Sequence, residues 1–254
     1  MCYSISFLER KASKLLQRYS GILPPSWKEN LKTEGIPENL SHYYFVSGFI
    51  HPVLPVIKHS GPDMLFWGLI PHWAKDGVAA DKIRKGTLNA VGETVSQKPS
   101  FRKSFRSNRC VLPVSGFFEW RAIHNAKYPY YIYPAEEAHF SLGCIYDTWT
   151  DQSTGEIIKT FSIITTPANP LMAEIHNRKK RMPFILKTEQ IASWIDPASP
   201  NDQILSMIAP LDEKEMCAHP VSRDLNYANK ERNTPAAIKE HHYPELPSLS
   251  TGNP

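Results

Sequence analysis

The sequence contains few cysteines, and no motif groups them. Its 254 residues include four, Cys2, Cys110, Cys144 and Cys217, and neither a C-x-x-C nor an H-E-x-x-H motif. This scatter favours neither a disulfide framework nor a zinc site. We therefore predict a protein without a metal or other cofactor, whose three internal cysteines are buried or inert.

Long apolar runs and a large charge excess are also absent. No stretch approaches the roughly 18 apolar residues of a membrane span, and the charged N-terminus lacks the apolar core of a signal peptide. We therefore expect a cytoplasmic protein that does not cross a membrane. A net charge of +4 and a pI near 8.8 permit a polyanionic partner. They lie far from the strongly basic profile of a histone-like protein.

Short β-type segments broken by Pro, Gly and Asn dominate the chain, and helical periods are few. The predicted strands are 43–49, 64–69, 110–114, 117–121, 130–133, 140–148 and 160–165. The predicted helices are 11–19, 97–104, 170–173, 189–195 and 201–208. This pattern predicts a β-rich α+β fold, as one domain over residues 2–238 with peripheral helices. Residues 239–254 are rich in Pro, Ser and Gly, which predicts a flexible C-terminal tail.

Cys2 follows the initiator Met1, whose removal would leave an amine and a thiol on adjacent carbons. An α-amino group with a pKa of about 7.7 to 8.0 is partly free base near neutral pH and can condense with an aldehyde. The thiol of the same residue can then close a ring, with the advantage of an intramolecular reaction. The alternative is that a small residue at this position serves only as a processing signal.

Two polar residues stand in apolar surroundings. Asn89, between Leu88 and Ala90, can orient a substrate or the N-terminal residue, although Asn and Gly in this segment also favour a turn. Glu119 lies in a strand-like run of aromatic residues. If it faces inward with Phe117, burial raises its pKa and makes it a general acid near neutral pH. If it faces outward, it is an ordinary charged strand residue.

His176 stands just before a run of cations. Neighbouring cations favour the unprotonated imidazole, which suits a base or a proton shuttle. The run can bind phosphates, although charge runs commonly form solvated loops. Its members are Arg178, Lys179, Lys180 and Arg181.

Two tryptophans flank the segment Gly68–His72 and have different expected places. Trp67 is expected in the core as part of a strand. Trp73 begins a polar loop and is a candidate surface ring on which a base can stack, a contact of roughly 1 to 3 kcal/mol.

Together these motifs resemble the SRAP family, the SOS-response-associated peptidases, also called abasic-site processing proteins. Cys2 is followed in family order by WG-x-x-P, LNA-x-x-ET, GFFEW, IH with RMP after it, and HPVSR. The resemblance extends from Cys2 to about Arg223 and so covers nearly the whole chain.

The resemblance implies a β-rich α+β domain with a positively charged groove for single-stranded DNA containing abasic sites. Family members form a stable covalent thiazolidine bond to an abasic site and process their own N-terminus, so a lyase-like crosslinking activity with autopeptidase activity is expected, in a monomer. It implies that Asn89 positions Cys2, that Glu119 acts as acid and base, and that His176 shuttles protons. Trp73 and the four cations at 178–181 are the expected DNA contacts.

The chain also departs from the common family pattern. Tyr3 and Ser4 follow Cys2 in place of Gly and Arg, Val91 replaces an Arg, and residues 44–48 replace a Tyr-Asn-x-Ala-Pro loop. Two phosphate-binding arginines and a proline wedge are thus missing. Arg181 retains a third arginine, and the inserted lysines beside it can compensate.

Two other functions remain open at this point. One is an N-terminal cysteine peptidase or amidohydrolase acting on peptide substrates, with the Cys2 thiolate as nucleophile and its own amine or His176 as base. The other is a non-catalytic module that binds single-stranded DNA through Trp73 and the cations.

Overall fold

Five strands close on themselves into a barrel. The structure, a computed structural model, describes residues 2–22 and 35–250. In order around the barrel, the strands are β10 (Ile157–Pro167), β4 (Gly61–Trp67), β3 (Val53–Lys58), β6 (Arg109–Val114) and β9 (Phe140–Thr150). The ring closes because β9 pairs with both β6 and β10. Shorter strands extend it: β5 (Asn89–Val91) and β11 (Arg181–Pro183) pair with β10, and β12 (Ile185–Leu186) pairs with β9.

A second, fully antiparallel sheet packs beside the barrel. Its strands, in spatial order, are β13 (Met216–Pro220), β8 (Ala126–Pro134), β7 (Gly116–Ile123), β1 (Ser4–Phe7) and β2 (Tyr43–Ser47). Ser115 alone separates β6 from β7, so the chain passes directly from the barrel into this sheet. The N-terminal strand β1 is therefore an internal strand, with partners on both sides.

The principal core joins the inner face of the second sheet to the barrel. It includes Ile5 and Phe117 from the sheet, and Leu112 and Phe161 from the barrel, all fully buried. Cys2 belongs to the same cluster. The members of this core alternate along the strands, as Cys110, Leu112 and Val114 do on β6, so each strand presents one face to it.

Within the described residues, six short helices lie at the periphery. They are α1 (Ala12–Tyr19), α2 (Gly77–Arg84), α3 (Arg102–Ser107), α4 (Pro170–Ile175), α5 (Ile191–Ile195) and α6 (Asn201–Met207). Buried Arg109 joins two of them to the barrel, donating to the carbonyls of Trp194 (2.6 Å) and Phe105 (2.8 Å). None of the helices in the described ranges is long and apolar enough to traverse a bilayer. The predicted β-rich α+β fold with peripheral helices is confirmed.

Some predicted elements differ from those observed. Strand β3 is not predicted from the sequence, because its central Pro55 argues against a strand interior. Helix α2 is not predicted either. The turn favoured at Asn89 is instead a short strand, because the backbone of this segment pairs with β10. The strand predicted over 43–49 ends at Ser47, where a 3₁₀ turn begins.

The described part of the predicted flexible tail, residues 239–250, is packed against the protein. Residues 239–250 lie against the second sheet, where a bridge joins Glu240 to Val221 and the His241 N–H donates to Pro220 (2.9 Å). Tyr243, Leu246 and Leu249 pack on the principal core. The composition concealed this anchoring because the apolar residues are separated by Pro and Ser. The last four residues of the predicted tail, 251–254, and residues 23–34 of the predicted domain lie outside the described residues.

Gly116 is expected to be intolerant of any side chain. A Cβ at this position would lie 2.5 Å from the carbonyl oxygen of Ile132 and 2.5 Å from the ring of Tyr131. Gly116→Ala should therefore lower the free energy of unfolding by about 1 to 3 kcal/mol, the usual cost of overpacking. Gly21→Ala is the matched control, because nothing lies within 4 Å of its Cβ position. Urea denaturation of both variants measures this, and equal stabilities would contradict the expected clash.

Candidate active site around Cys2

Strand pairing brings the N-terminus to Glu119. Ile5 pairs with Phe117 and Ser6 with Gly116, so the same register extended towards the terminus brings residue 3 opposite Glu119. On the other side of β1, the Gly48 N–H donates to the carbonyl of Tyr3 (2.8 Å). Cys2 precedes this anchored strand in the chain, lies in the core and has no exposed surface.

Asn89 holds the backbone of Cys2. Its Nδ2 donates to the Cys2 carbonyl at 2.9 Å, and its side chain is buried. The preceding residue is fixed because the indole of Trp67 donates to the carbonyl of Leu88 at 2.9 Å. Trp67 is fully buried, which confirms its predicted place in the core. Within residues 2–22 and 35–250, the Asn89 Oδ1 has no hydrogen-bond partner.

Glu119 faces inward. It is 4% exposed and shares its side of β7 with Phe117, so its predicted burial is confirmed. Burial raises the pKa of its carboxyl to about 7, against the weaker opposing effect of nearby Lys179. Near neutral pH the carboxyl is therefore divided between its protonated and ionised forms, so it can both give and take a proton.

His176 directly follows helix α4 and lies beside Glu119. The helix starts cleanly, because the Asn169 side chain accepts from the N–H of Met172 (2.8 Å) and a proline occupies the first turn. The His176 Nδ1 lies 2.8 Å from the carbonyl oxygen of Arg181 and 3.6 Å from Glu119 Oε1. A carbonyl only accepts, so Nδ1 carries the proton and the neutral ring has an accepting Nε2.

His176 is uncharged at neutral pH, as predicted. Its pKa is lowered to about 4, mainly by burial and in smaller part by nearby Lys179. The sequence predicts this effect from the neighbouring cations, whereas burial is the larger cause. The contact with Glu119 is thus not an ion pair near neutral pH, and His176 is available as a proton acceptor.

The Cys2 thiol is held in its protonated form. Burial raises the pKa of this thiol, and the Glu119 carboxylate raises it further. The Sγ contacts the backbone oxygen of Ser4 at 3.8 Å. A thiol with a raised pKa supplies little thiolate near neutral pH, so its attack on an electrophile requires a base close by.

The predicted phosphate contacts fall into two groups. Arg178, Lys179 and Lys180 are exposed on the turn after His176. Arg181 instead points back into the protein, where its guanidinium pairs with Glu93 and donates to the carbonyl of Thr165 (2.6 Å). It also holds the pKa of Glu93 below its usual value. Arg181 thus joins β11 to the turn that follows Asn89, and only the first three cations are presented to solvent.

Two apolar residues beside the site were missed. Phe49 and Ile50 are 61% and 70% exposed on the turn after β2. The ring of Phe49 lies 4.9 Å from that of Tyr3, next to Cys2 in the chain. The sequence predicts Phe49 in a strand. Gly48 before it and His51 after it in the left-handed region (φ 51°) mark a turn instead.

Trp73 is not part of this cluster. Its ring is 47% exposed, as predicted, but its indole N–H approaches the carbonyl of Pro99 at 3.4 Å. The next residue, Ala74, belongs to a separate small apolar cluster with Trp149. The structure thus groups Cys2, Asn89, Glu119 and His176, with the exposed cations at one border and Phe49 at another. Among residues 2–22 and 35–250, no three His, Cys, Asp or Glu side chains come together as a metal site requires.

Known proteins are similar to this chain in sequence and in fold. The family model described as SOS response associated peptidase (SRAP) matches residues 22–228. The abasic site processing protein YoqW of Bacillus subtilis (strain 168) is 38% identical over 179 residues, 70% of this chain and 75% of that protein. The abasic site processing protein HMCES of Xenopus tropicalis is 29% identical over 258 residues, 90% of this chain and 73% of that protein. A crystal structure of a protein from Bacteroides thetaiotaomicron has a TM-score of 0.82 at 36% identity, covering 95% of this chain and 100% of that chain.

The buried Glu119 should make stability depend on pH. Its pKa is raised from about 4.5 to about 7 in the folded protein, so the folded state binds more protons than the unfolded state between these values. The stability it contributes is full below about pH 4.5 and is lost as pH rises through 7, on the order of 3 kcal/mol in all. Glu119→Gln should remove this loss in urea denaturation at pH 4.5 and 8. The exposed control Glu136→Gln should retain the wild-type loss, and a wild-type pH dependence in Glu119→Gln would contradict the assignment.

Proposed function

The chain belongs to the SRAP family, and from this premise we propose that it captures abasic sites in single-stranded DNA as a covalent thiazolidine at Cys2. The observation that carries the proposal is the arrangement of Asn89, Glu119 and His176 around the second residue of the chain. Asn89 bonds the Cys2 carbonyl, and His176 Nδ1 lies 3.6 Å from Glu119. YoqW and HMCES, which this chain resembles, carry the name abasic site processing protein.

Capture requires a free amine at Cys2. The nitrogen of this residue is an amide until Met1 is removed, and we include this removal in the proposed activity as self-processing. The amine then adds to the aldehyde of the open-chain abasic sugar, giving a carbinolamine. Loss of one water from the carbinolamine gives a protonated Schiff base.

Glu119 supplies and recovers one proton in this sequence. With a pKa raised to about 7, its carboxyl is protonated often enough near neutral pH to protonate the departing hydroxyl. The resulting carboxylate takes the Cys2 thiol proton as sulfur bonds to the imine carbon. The thiazolidine closes and Glu119 returns to its protonated state. Glu119 is thus the base that the Cys2 thiol requires because its pKa is raised.

Asn89 and His176 have supporting roles. Through its bond to the Cys2 carbonyl, Asn89 fixes the residue that carries both nucleophiles, so that the second attack remains intramolecular. The neutral imidazole of His176 accepts a proton at Nε2 from the amine as it adds to the aldehyde, and returns it to the former carbonyl oxygen to give the neutral carbinolamine. Its orientation is set by the Arg181 carbonyl at 2.8 Å.

Exposed groups on two sides of the site suit a single strand. Arg178, Lys179 and Lys180 can hold phosphates on the His176 side, in place of the family arginine that is Val91 here. Phe49 and Ile50 offer apolar surface on the Tyr3 side, where an unpaired base can stack. Trp73 stays a prediction as a further stacking residue, outside the central cluster.

The peptidase alternative has weaker support. An acyl-transfer nucleophile benefits from a lowered thiol pKa, whereas burial and Glu119 raise that of Cys2. A non-catalytic DNA-binding module would leave the buried group of Cys2, Asn89, Glu119 and His176 without a purpose. The peptidase alternative predicts an activity that does not depend on DNA. The binding-module alternative predicts behaviour that does not depend on Cys2, and the next experiment measures both.

Intact mass spectrometry tests the crosslink. Protein lacking Met1, mixed with a single-stranded oligonucleotide that contains one abasic site, should gain the mass of the DNA less one water. The undamaged oligonucleotide should give no adduct. Cys2→Ala and Cys2→Ser should both lose the stable adduct, because neither has the thiol that closes the ring, and both should keep only a Schiff base that borohydride traps. A wild-type adduct from Cys2→Ala would exclude the thiazolidine, and its absence from the wild-type protein would exclude the proposed function.

The exposed cations should govern the salt dependence of DNA binding. The double variant Arg178→Gln with Lys179→Gln loses two charges next to the site, so the slope of log affinity against log salt should fall by about 1.4. Fluorescence anisotropy with an undamaged single strand measures this slope. Lys14→Gln with Arg18→Gln makes the same charge change on α1 and should leave the slope unchanged. Equal slopes for the two double variants would place the DNA elsewhere.

A further inference from the structure

The described chain continues beyond the family match and packs next to the candidate active site. The match ends at residue 228. Residues 243–250, called the C-terminal clamp, contact both β7 and α4, the elements that position the acid–base pair Glu119 and His176. Its anchor is Tyr243, whose ring meets that of Tyr128 edge-on at 5.1 Å and whose hydroxyl donates to the Val221 carbonyl (2.9 Å). The Tyr128 hydroxyl in turn donates to Glu245 (2.9 Å).

A pair of charged residues lies directly behind the acid–base pair. Arg121 follows Glu119 by two positions on β7 and thus shares its side of the strand. Glu174 precedes His176 by two positions on α4. The Arg121 Nη2 lies 3.7 Å from Glu174 Oε2, with 10% and 24% of the two side chains exposed. This pair therefore joins the strand of Glu119 to the helix of His176.

The clamp completes the hydrogen bonding of this pair. The carbonyl of Pro247 accepts from Arg121 Nη1 at 2.5 Å. The Ser250 N–H donates to the carboxylate of Glu174, at 3.0 Å to Oε2 and 3.2 Å to Oε1. A mostly buried ion pair at 3.7 Å repays its desolvation only when further hydrogen bonds satisfy it. Two backbone groups of the clamp supply those bonds.

Helix α4 needs such external support. It contains six residues, too few to be stable through helix propagation alone. A second tether is formed by Asn177, whose side chain accepts from the Ala122 N–H (3.1 Å) and donates to the Ala122 carbonyl (2.8 Å). Asn177 fixes the turn after His176, and the Arg121–Glu174 pair fixes the helix before it. The two tethers together hold the imidazole at its distance from Glu119.

We propose that the C-terminal clamp is a positioning device that holds His176 against Glu119 by completing the Arg121–Glu174 pair. The inference deepens the proposed function and rests on it where adduct formation is concerned. Arg121 and Glu174 are positioning residues, since they act through Glu119 and His176. This segment lies outside the part of the chain that the family model matches.

Two shortened chains provide a matched test. A chain ending at Leu246 keeps Tyr243 and Glu245 but loses the Pro247 and Ser250 contacts, and a chain ending at Ser250 keeps them all. The first readout is the NMR titration of the His176 ring, which needs no DNA. In the chain ending at Leu246, the pKa of His176 should rise from about 4 towards its usual value, because the helix end is released to solvent. The chain ending at Ser250 should titrate like the full chain.

The second readout is the rate of adduct formation across pH. The chain ending at Leu246 should react on the order of 10- to 100-fold more slowly, the scale of a small misplacement of catalytic groups. Full-length Arg121→Lys, which keeps the cation, should be affected less than Arg121→Leu. Melting curves identify variants that are only less stable. A lowered melting temperature with an unchanged His176 titration would overturn the clamp, as would equal rates for the two shortened chains.

Failure of the clamp can be distinguished from failure of the proposed function. If the full chain forms no adduct, the proposed function is excluded, while the His176 titration still decides whether the clamp positions the imidazole. If the full chain forms the adduct and the chain ending at Leu246 matches it in rate and titration, only the clamp is excluded.

Discussion

The structure depends on the burial of its own N-terminal segment in a hydrophobic core. Chain ends commonly lie at the surface and fray, because their backbone groups lack partners. Here β1 pairs on both sides, Gly48 donates to the Tyr3 carbonyl and Asn89 donates to the Cys2 carbonyl. These bonds satisfy the backbone where it enters the core. The barrel and the second sheet meet around the segment, so the fold and the candidate site share the same packing.

Burial also determines the protonation states in the site. It raises the pKa of the Glu119 carboxyl and of the Cys2 thiol and lowers that of His176, so the uncharged forms are favoured throughout. A proton can then move among these groups without leaving an isolated charge in a low-dielectric interior. The cations lie outside this region, on the exposed turn at 178–180, where they can meet phosphates while remaining hydrated.

The sequence predicted those features that depend on local pattern. Alternation with Phe117 predicted the inward-facing Glu119, and strand spacing predicted the fold class. Features that depend on tertiary contacts were not predicted. Asn89 lies in a strand because its segment pairs with β10, and the Arg181 guanidinium pairs with Glu93 and is not presented to a phosphate. The anchored C-terminal segment was lost for the same reason, because isolated Tyr and Leu residues bury well only when a complementary surface already exists.

The position of Cys2 at the end of an internal strand restricts how the protein can be extended. Any fusion partner, affinity tag or fluorescent label joined ahead of Cys2 would keep its nitrogen in an amide and would have to leave the core between packed strands. The other end offers an exit, since Ser250 lies at the outer side of α4. Fusions for imaging or purification should therefore be joined after residue 254, with a linker that leaves the last described residues in place.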